Sequence, residues 1–239
     1  MRVDAESAFV LHSRPFRESS QLVDLFSHNH GRIKVIARGT RSRKSGQRLN
    51  LFTPLVVSWG GRSDLKTLYS VEADGPPTFL QGRQLYTGLY LNELLIRVLP
   101  EADLQRGIFQ YYRILLEQLS CTDDLEPLLR QFEFRLLEEL GYGLSFDFDA
   151  EDGEPVGAGN NYLFQPENGL SKHFDSRTVD HRALFEGAHL VEIGRGNFSN
   201  PEIRSSAKRL SRLAFSPHLG GKPLRSRELF IHAQRKEHT

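Results

Sequence analysis

One cysteine, Cys121, stands among 239 residues, so neither an intramolecular disulfide nor a multi-cysteine metal site can form. A lone thiol fits a reducing compartment. No apolar run approaches the roughly 18 residues that cross a bilayer, and the start Met1-Arg2-Val3-Asp4-Ala5-Glu6 lacks the apolar core of a secretion signal. These absences predict a cytoplasmic chain. Net charge is also nearly missing, at +1, so any strong field must be local.

Two such fields are present. Residues 31–48 hold seven Lys or Arg and no acid, and residues 204–227 again hold seven against none. Residues 72–190, in contrast, carry 21 acids and nine bases. This segregation is expected when two basic segments meet a polyanion and the middle serves another purpose. The first field alternates: Ile33 and Val35 can face one way while Arg32, Lys34 and Ile36 face the other, which is strand spacing. From Gly39 it becomes a polar, glycine-bounded basic loop. Arg32, Lys34, Arg38, Arg41, Arg43, Lys44 and Arg48 are the candidate phosphate contacts there. A solvated loop without function is the bland alternative.

Short apolar segments follow one another at the N-terminus: Ser7–Ser13, Ser20–Ser27, Arg32–Arg38, Leu51–Trp59 and Leu65–Glu72, with glycine-marked turns. Five short strands within about 75 residues predict a small barrel. An oligonucleotide-binding (OB) fold leads, and an SH3-like barrel stays open. From Leu80 the apolar period becomes helical, and Pro100 stops the first segment. Helices are expected over Leu80–Leu99, Leu104–Leu119 and Leu125–Leu140, three in succession and so a bundle. The overall class is α+β, with a barrel over residues 1–79 and a helical domain over 80–239 that holds an irregular insertion near 144–198. Within that insertion only a hairpin, Tyr162–Phe164 with Gly169–Ser171, suggests itself. Asn200-Pro201 then opens a last helix, capped and started by residues suited to both tasks.

On that helix Arg204, Lys208 and Arg212 share a face. No acid interrupts them in sequence, which again suggests a polyanion; Lys222, Arg225 and Arg227 extend the strip. A merely solubilising face explains them equally well. Gly220-Gly221-Lys222 lacks the spacing of a phosphate loop, so nucleotide hydrolysis is rejected. The carboxylates Asp147, Asp149, Glu151, Asp152 and Glu154 lack the order of a calcium loop, and the nine histidines show no zinc spacing. No metal or other cofactor is expected. Phe52, Trp59 and Tyr69 could stack bases, although core filling is the stronger reading; Trp59, beside Gly60-Gly61, is the first to test.

Several segments form a joint pattern: Ala8-Phe9-Val10-Leu11-His12-Ser13-Arg14-Pro15, Ala37-Arg38-Gly39-Thr40-Arg41-Ser42, Leu51-Phe52-Thr53-Pro54-Leu55 and Tyr90-Leu91-Asn92-Glu93-Leu94-Leu95. Further along come Leu129-Arg130-Gln131-Phe132-Glu133, Leu140-Gly141-Tyr142-Gly143 and Leu219-Gly220-Gly221-Lys222-Pro223-Leu224-Arg225-Ser226-Arg227-Glu228-Leu229. Taken together, these segments resemble the RecO family of bacterial recombination mediators. The resemblance implies an OB fold followed by a helical domain. It also implies binding to single- and double-stranded DNA, annealing of complementary strands, and work with RecR to help RecA replace single-strand-binding protein. The acidic tail of that protein would dock on the helical domain, and by position Arg130 is the matching partner for its carboxylates. An ordinary intrahelical pair of Arg130 with Glu126 or Glu133 is equally compatible with the sequence. Some RecO relatives carry four cysteines as a zinc site after the Gly-Tyr-Gly region, whereas residues 144–200 here have none.

The expected function is therefore a non-enzymatic DNA-binding mediator in the nucleoid. Two rivals remain: a magnesium-dependent nuclease using the 147–154 carboxylates, and an adaptor that binds only proteins.

Overall fold

The computed structural model describes residues 2–39, 49–174 and 180–230. The chain forms two compact units, residues 1–123 with 223–239, and residues 124–222. No helix among the described residues is long and apolar enough to cross a membrane.

The first unit is built on a closed five-stranded barrel. Its strands are β1 (Arg2–Phe16), β2 (Ser20–Ser27), β3 (Gly31–Ala37), β4 (Leu55–Gly60) and β5 (Lys66–Ala73), in the order β1-β2-β3-β5-β4. Every pairing is antiparallel except β3 with β5. β1 serves two neighbours because it is long and shifts register between Val10 and His12, pairing first with β4 and then with β2. The expected first strand, Ser7–Ser13, was thus only its middle. β4 likewise starts at Leu55 rather than Leu51, because Phe52 turns the chain with φ +58°. Alternate residues fill the barrel, among them Ala8, Val10, Val23, Leu25, Val35, Val57, Trp59 and Leu68.

Phe9, Leu11 and Phe26 break that alternation, since they are buried on the outer side. Helices α1 (Gly82–Val98) and α2 (Arg106–Ser120) cover them. Phe109 and Tyr112 of α2 pack edge-on or tilted against Phe9 and Phe26, with centroids 5.3–6.3 Å apart. A buried polar chain adds direction to this packing. The Tyr112 hydroxyl donates to Asn92 Oδ1 at 2.6 Å, and Asn92 Nδ2 donates to the Leu11 carbonyl at 2.9 Å. The chain end also returns to α1, where Glu93 accepts from the N–H groups of Arg225 and Ser226 and from the Ser226 hydroxyl, at 2.6–2.9 Å.

The second unit contains α3 (Leu125–Glu139), α4 (Gly187–Gly194) and α5 (Pro201–Phe215) with a small antiparallel sheet. The sheet comprises β6 (Asn161–Gln165), β7 (Gly169–His173) and β8 (Leu184–Glu186), in the order β7-β6-β8. Residues 144–198 are therefore not an irregular insertion: the expected hairpin is present, and β8 and α4 join it. The three successive helices do not form one bundle either. α1 and α2 belong to the barrel unit, and α3 packs with α5. Asn200 caps α5 by accepting from the Glu202 N–H at 2.8 Å, with Pro201 at the first helical position.

Candidate nucleic-acid interface

Two of the expected phosphate contacts hold the barrel to its own helices. Arg32 lies on β3 with its side chain 10% exposed. Its guanidinium donates to the Leu99 carbonyl at 3.1 Å and to Asp24 at 3.2 Å, and lies 3.6 Å from Glu101. Lys34 bonds the same Glu101, which holds that carboxyl below its ordinary pKa. The connection between α1 and α2 is thus fastened to β3, and the Ala102 N–H donates to the Arg32 carbonyl at 2.8 Å. Arg32 is corrected from a DNA contact to a structural cation, because burial and three acceptors leave it nothing to offer a phosphate. Lys34 stays partly exposed but is neutralised.

A different part of the barrel keeps its charge outward. The parallel register ends with Ala37 beside Leu68, both buried, and the residues that follow them in sequence, Arg38 and Tyr69, are both exposed. Tyr69 is 50% exposed, with the Arg2 guanidinium 5.8 Å from its ring centre. Arg2 also pairs with Asp4 at 2.9 Å, which raises its pKa further. Trp59, in contrast, is 2% exposed inside the barrel, and Phe52 is buried as well. Trp59 and Phe52 therefore fill the core, and Tyr69 is the one of the three whose ring is open to solvent. Beyond Arg38, the candidates Arg41, Arg43, Lys44 and Arg48 lie outside the described residues.

Arg14, Arg17 and Arg62 are further exposed cations of the barrel unit, with Arg17 5.2 Å from the Phe16 ring centre. They lie outside both basic runs, so a search for charge blocks passed over them. Their signal was position, since Arg17 and Arg62 sit in the β1–β2 and β4–β5 turns of a five-stranded barrel.

The second basic strip is divided between the two units. Arg204, Lys208, Arg212 and Lys222 belong to the second unit, and Arg225 and Arg227 to the first. The absence of acidic partners also proves to be local to the sequence. Arg204 binds both oxygens of Asp124, at 2.7 and 2.8 Å, and Lys208 binds Glu126 at 2.9 Å. Arg212, Lys222 and Arg225 are exposed, whereas Arg227 is half-buried near the Tyr90 ring.

Arg130 is 5% exposed, and its terminal nitrogens bond Glu133 at 2.8–2.9 Å and the Ser211 hydroxyl at 3.1 Å. Ser211 also donates to Glu133, so α3 and α5 share one closed network. The intrahelical partner is thus Glu133, and a tail carboxylate reaching Arg130 must compete with it.

The carboxylate cluster has a structural task as well. Asp149 is buried and accepts from the N–H groups of Glu151, Asp152 and Lys172 at 2.6–3.4 Å. Among the described residues, no group of three or more His, Cys, Asp or Glu is arranged to hold a metal ion.

Comparison with known proteins identifies the lineage. The family model "Recombination protein O N terminal" matches residues 1–76, and "Recombination protein O C terminal" matches residues 80–228. The chain belongs to the RecO family of DNA repair proteins. RecO relatives are similar along nearly their full length. "DNA repair protein RecO" of Cellvibrio japonicus is 47% identical, over 96% of this chain and 98% of the relative. The protein of that name from Pseudomonas paraeruginosa is 46% identical, over 98% and 96% respectively. That from Serratia proteamaculans is 45% identical, over 97% and 95%. The RecO N-terminal model thus coincides with the barrel, whereas the C-terminal model runs through both compact units.

Proposed function

We propose that this chain is a non-enzymatic recombination mediator that acts on DNA in the cytoplasm. It binds single and double strands, anneals complementary strands and, with RecR, helps RecA load onto DNA covered by single-strand-binding protein. The observation that carries this reading is the exposed Tyr69 on the barrel of a RecO-family protein, with the Arg2 guanidinium 5.8 Å from its ring centre, and the exposed Arg38 just past the end of β3. An aromatic face can stack a base, while exposed guanidiniums such as that of Arg38 neutralise phosphates. Annealing needs only that neutralisation and base edges left free to pair.

The DNA surface of the first unit takes in Arg38 with Arg41, Arg43, Lys44 and Arg48 from the segment that follows it in sequence; Arg225 of the same unit, and Arg212 and Lys222 of the second unit, are further exposed cations, each set taken by itself. The acidic tail of single-strand-binding protein docks on the helical part, and Arg130 supports that surface by tying α3 to α5 through Glu133 and Ser211. Titration of a fluorescent single strand, with and without the tail peptide, tests both halves. The triple change Arg41→Glu, Arg43→Glu and Lys44→Glu should weaken binding and flatten its salt dependence. Unchanged affinity and slope would remove that segment from the DNA surface. A tail peptide bound equally well by Arg130→Ala would remove Arg130 from the tail site.

A further inference from the structure

Residues of β6, β8, α4 and α5 in the second unit, with His181, line a half-open pocket of about 240 Å³ that takes no part in the DNA reading. Its lining includes the buried ring of Phe185, and the Arg209 guanidinium lies over that ring at 4.2 Å from its centre. One Arg209 nitrogen donates to the His181 carbonyl at 2.8 Å, which fixes the plane of the fork. Burial lowers the pKa of this guanidinium, and the charge of Glu186 only partly offsets the effect. No described carboxylate lies within ion-pair distance of Arg209. Arg209 is thus a partly desolvated cation that no carboxylate of the described residues bonds directly, with Glu186 in the same lining acting on it from beyond ion-pair distance.

The other polar groups are suited to the same guest. His189 Nδ1 lies 2.9 Å from the Ser206 hydroxyl, and His189 Nε2 is 3.9 Å from Glu186. His181 and Asn161 also line the cavity. A metal ion is disfavoured, since these side chains form no ligating cluster and the guanidinium would repel a cation. An anion is favoured by donors of guanidinium, imidazole, hydroxyl and amide type, which must outweigh the Glu186 carboxylate of the same lining.

We propose that this cavity binds a phosphomonoester group, with Arg209 as its charge partner and His181 and one member of the His189–Ser206 pair as hydrogen-bond donors. Donors that arrive from two helices, a strand and a turn suit a tetrahedral oxyanion better than a flat carboxylate. The volume lies below that of a drug-sized site, so it accommodates the phosphate and little beyond the adjoining sugar. A concave site of this kind admits a terminal phosphate rather than a diester within a strand. The source is either a free small molecule or the 5′ end of a DNA strand. This inference is independent of the barrel surface.

Histidine ring signals in ¹H–¹³C spectra of the full chain provide the test. Inorganic phosphate and dAMP should shift the His181 and His189 signals saturably, whereas sodium chloride of equal ionic strength should not. A short strand carrying a 5′ phosphate that shifts them, where its 5′-hydroxyl counterpart does not, assigns the site to strand ends. Shifts confined to phosphate and dAMP assign it to free molecules. Arg209→Gln should weaken phosphate binding by about tenfold or more, as expected for a lost charge-assisted bond. If that variant unfolds, His181→Gln is read instead: it keeps the carbonyl that holds Arg209, and should still weaken binding severalfold. Shifts no larger than those with chloride, or equal affinity in a folded variant, would overturn the proposal.

Discussion

Replacing Arg32 by Gln separates the structural cations of the barrel from those that face DNA. The change removes donors to the Leu99 carbonyl at 3.1 Å and to Asp24 at 3.2 Å, and the charge 3.6 Å from Glu101. Breaking a buried pair costs about 3–5 kcal/mol. Here Asp24 and Glu101 keep 19% and 40% of their side-chain surface in water, so both can be partly rehydrated and the loss should fall at the low end, about 3 kcal/mol. The chain contains one tryptophan, Trp59, buried in the barrel, so its fluorescence during urea unfolding reports on that unit. Arg32→Gln should shift the midpoint strongly with little change in slope. DNA affinity of the folded variant, measured across salt, should keep the wild-type dependence. Arg38→Gln should do the reverse, leaving the midpoint within about 0.5 kcal/mol and reducing the single-strand salt slope by about 0.7. A wild-type midpoint for Arg32→Gln, or a salt slope reduced as much as in Arg38→Gln, would refute the assignment.

Glu93 makes the chain end sensitive to acid. Burial raises its carboxyl pKa, but the Ser226 hydroxyl and the N–H groups of Ser226 and Arg225 outweigh that and lower it overall. A lowered folded pKa means that the contribution is complete above the ordinary carboxylate value and is lost as pH falls through the folded one. Hydrogen exchange at residues 224–229, corrected for its intrinsic pH dependence, should accelerate on acidification, and Glu93→Gln should show the same opening at neutral pH. Tyr112→Phe leaves Asn92 Oδ1 without its buried donor and should destabilise the barrel unit by about 1–3 kcal/mol in the Trp59 assay. Gly31→Ala should cost at least about 1–2 kcal/mol in the same assay, because Gly31 has φ +64° and an added Cβ would overlap the Asp103 carbonyl.

The barrel was legible because strands with one wet face leave a period of two, as in Ile33, Lys34 and Val35. Where both faces are covered, that signal fades. Phe9, Val10 and Leu11 are buried in succession and show as an apolar run without alternation, while the mostly exposed, polar ends Arg2–Glu6 and Arg14–Phe16 carry no apolar pattern, so β1 read as a shorter segment than it is. The short helix Gly187–Gly194 and the strand Leu184–Glu186 were missed for a related reason: eight and three residues are too few to show a period. Partners distant in sequence were beyond reach altogether. Glu101 lies 67 residues from Lys34, and Asp124 lies 80 from Arg204, so both basic runs looked free of acids. Of the candidate DNA residues, Arg38 and Arg212 are exposed, whereas Arg32 is buried.

Annealing offers the most direct measurement of the proposed function. Two complementary labelled strands, each covered with single-strand-binding protein, are mixed with the wild-type chain without nucleotide or added metal. Pairing should accelerate, fade with rising salt, and slow markedly in Tyr69→Ala, since a lost base stack weakens DNA binding by about 1–3 kcal/mol. Strands that stay apart, or a Tyr69→Ala protein that anneals them at the wild-type rate, would contradict a mediator working through this face of the barrel.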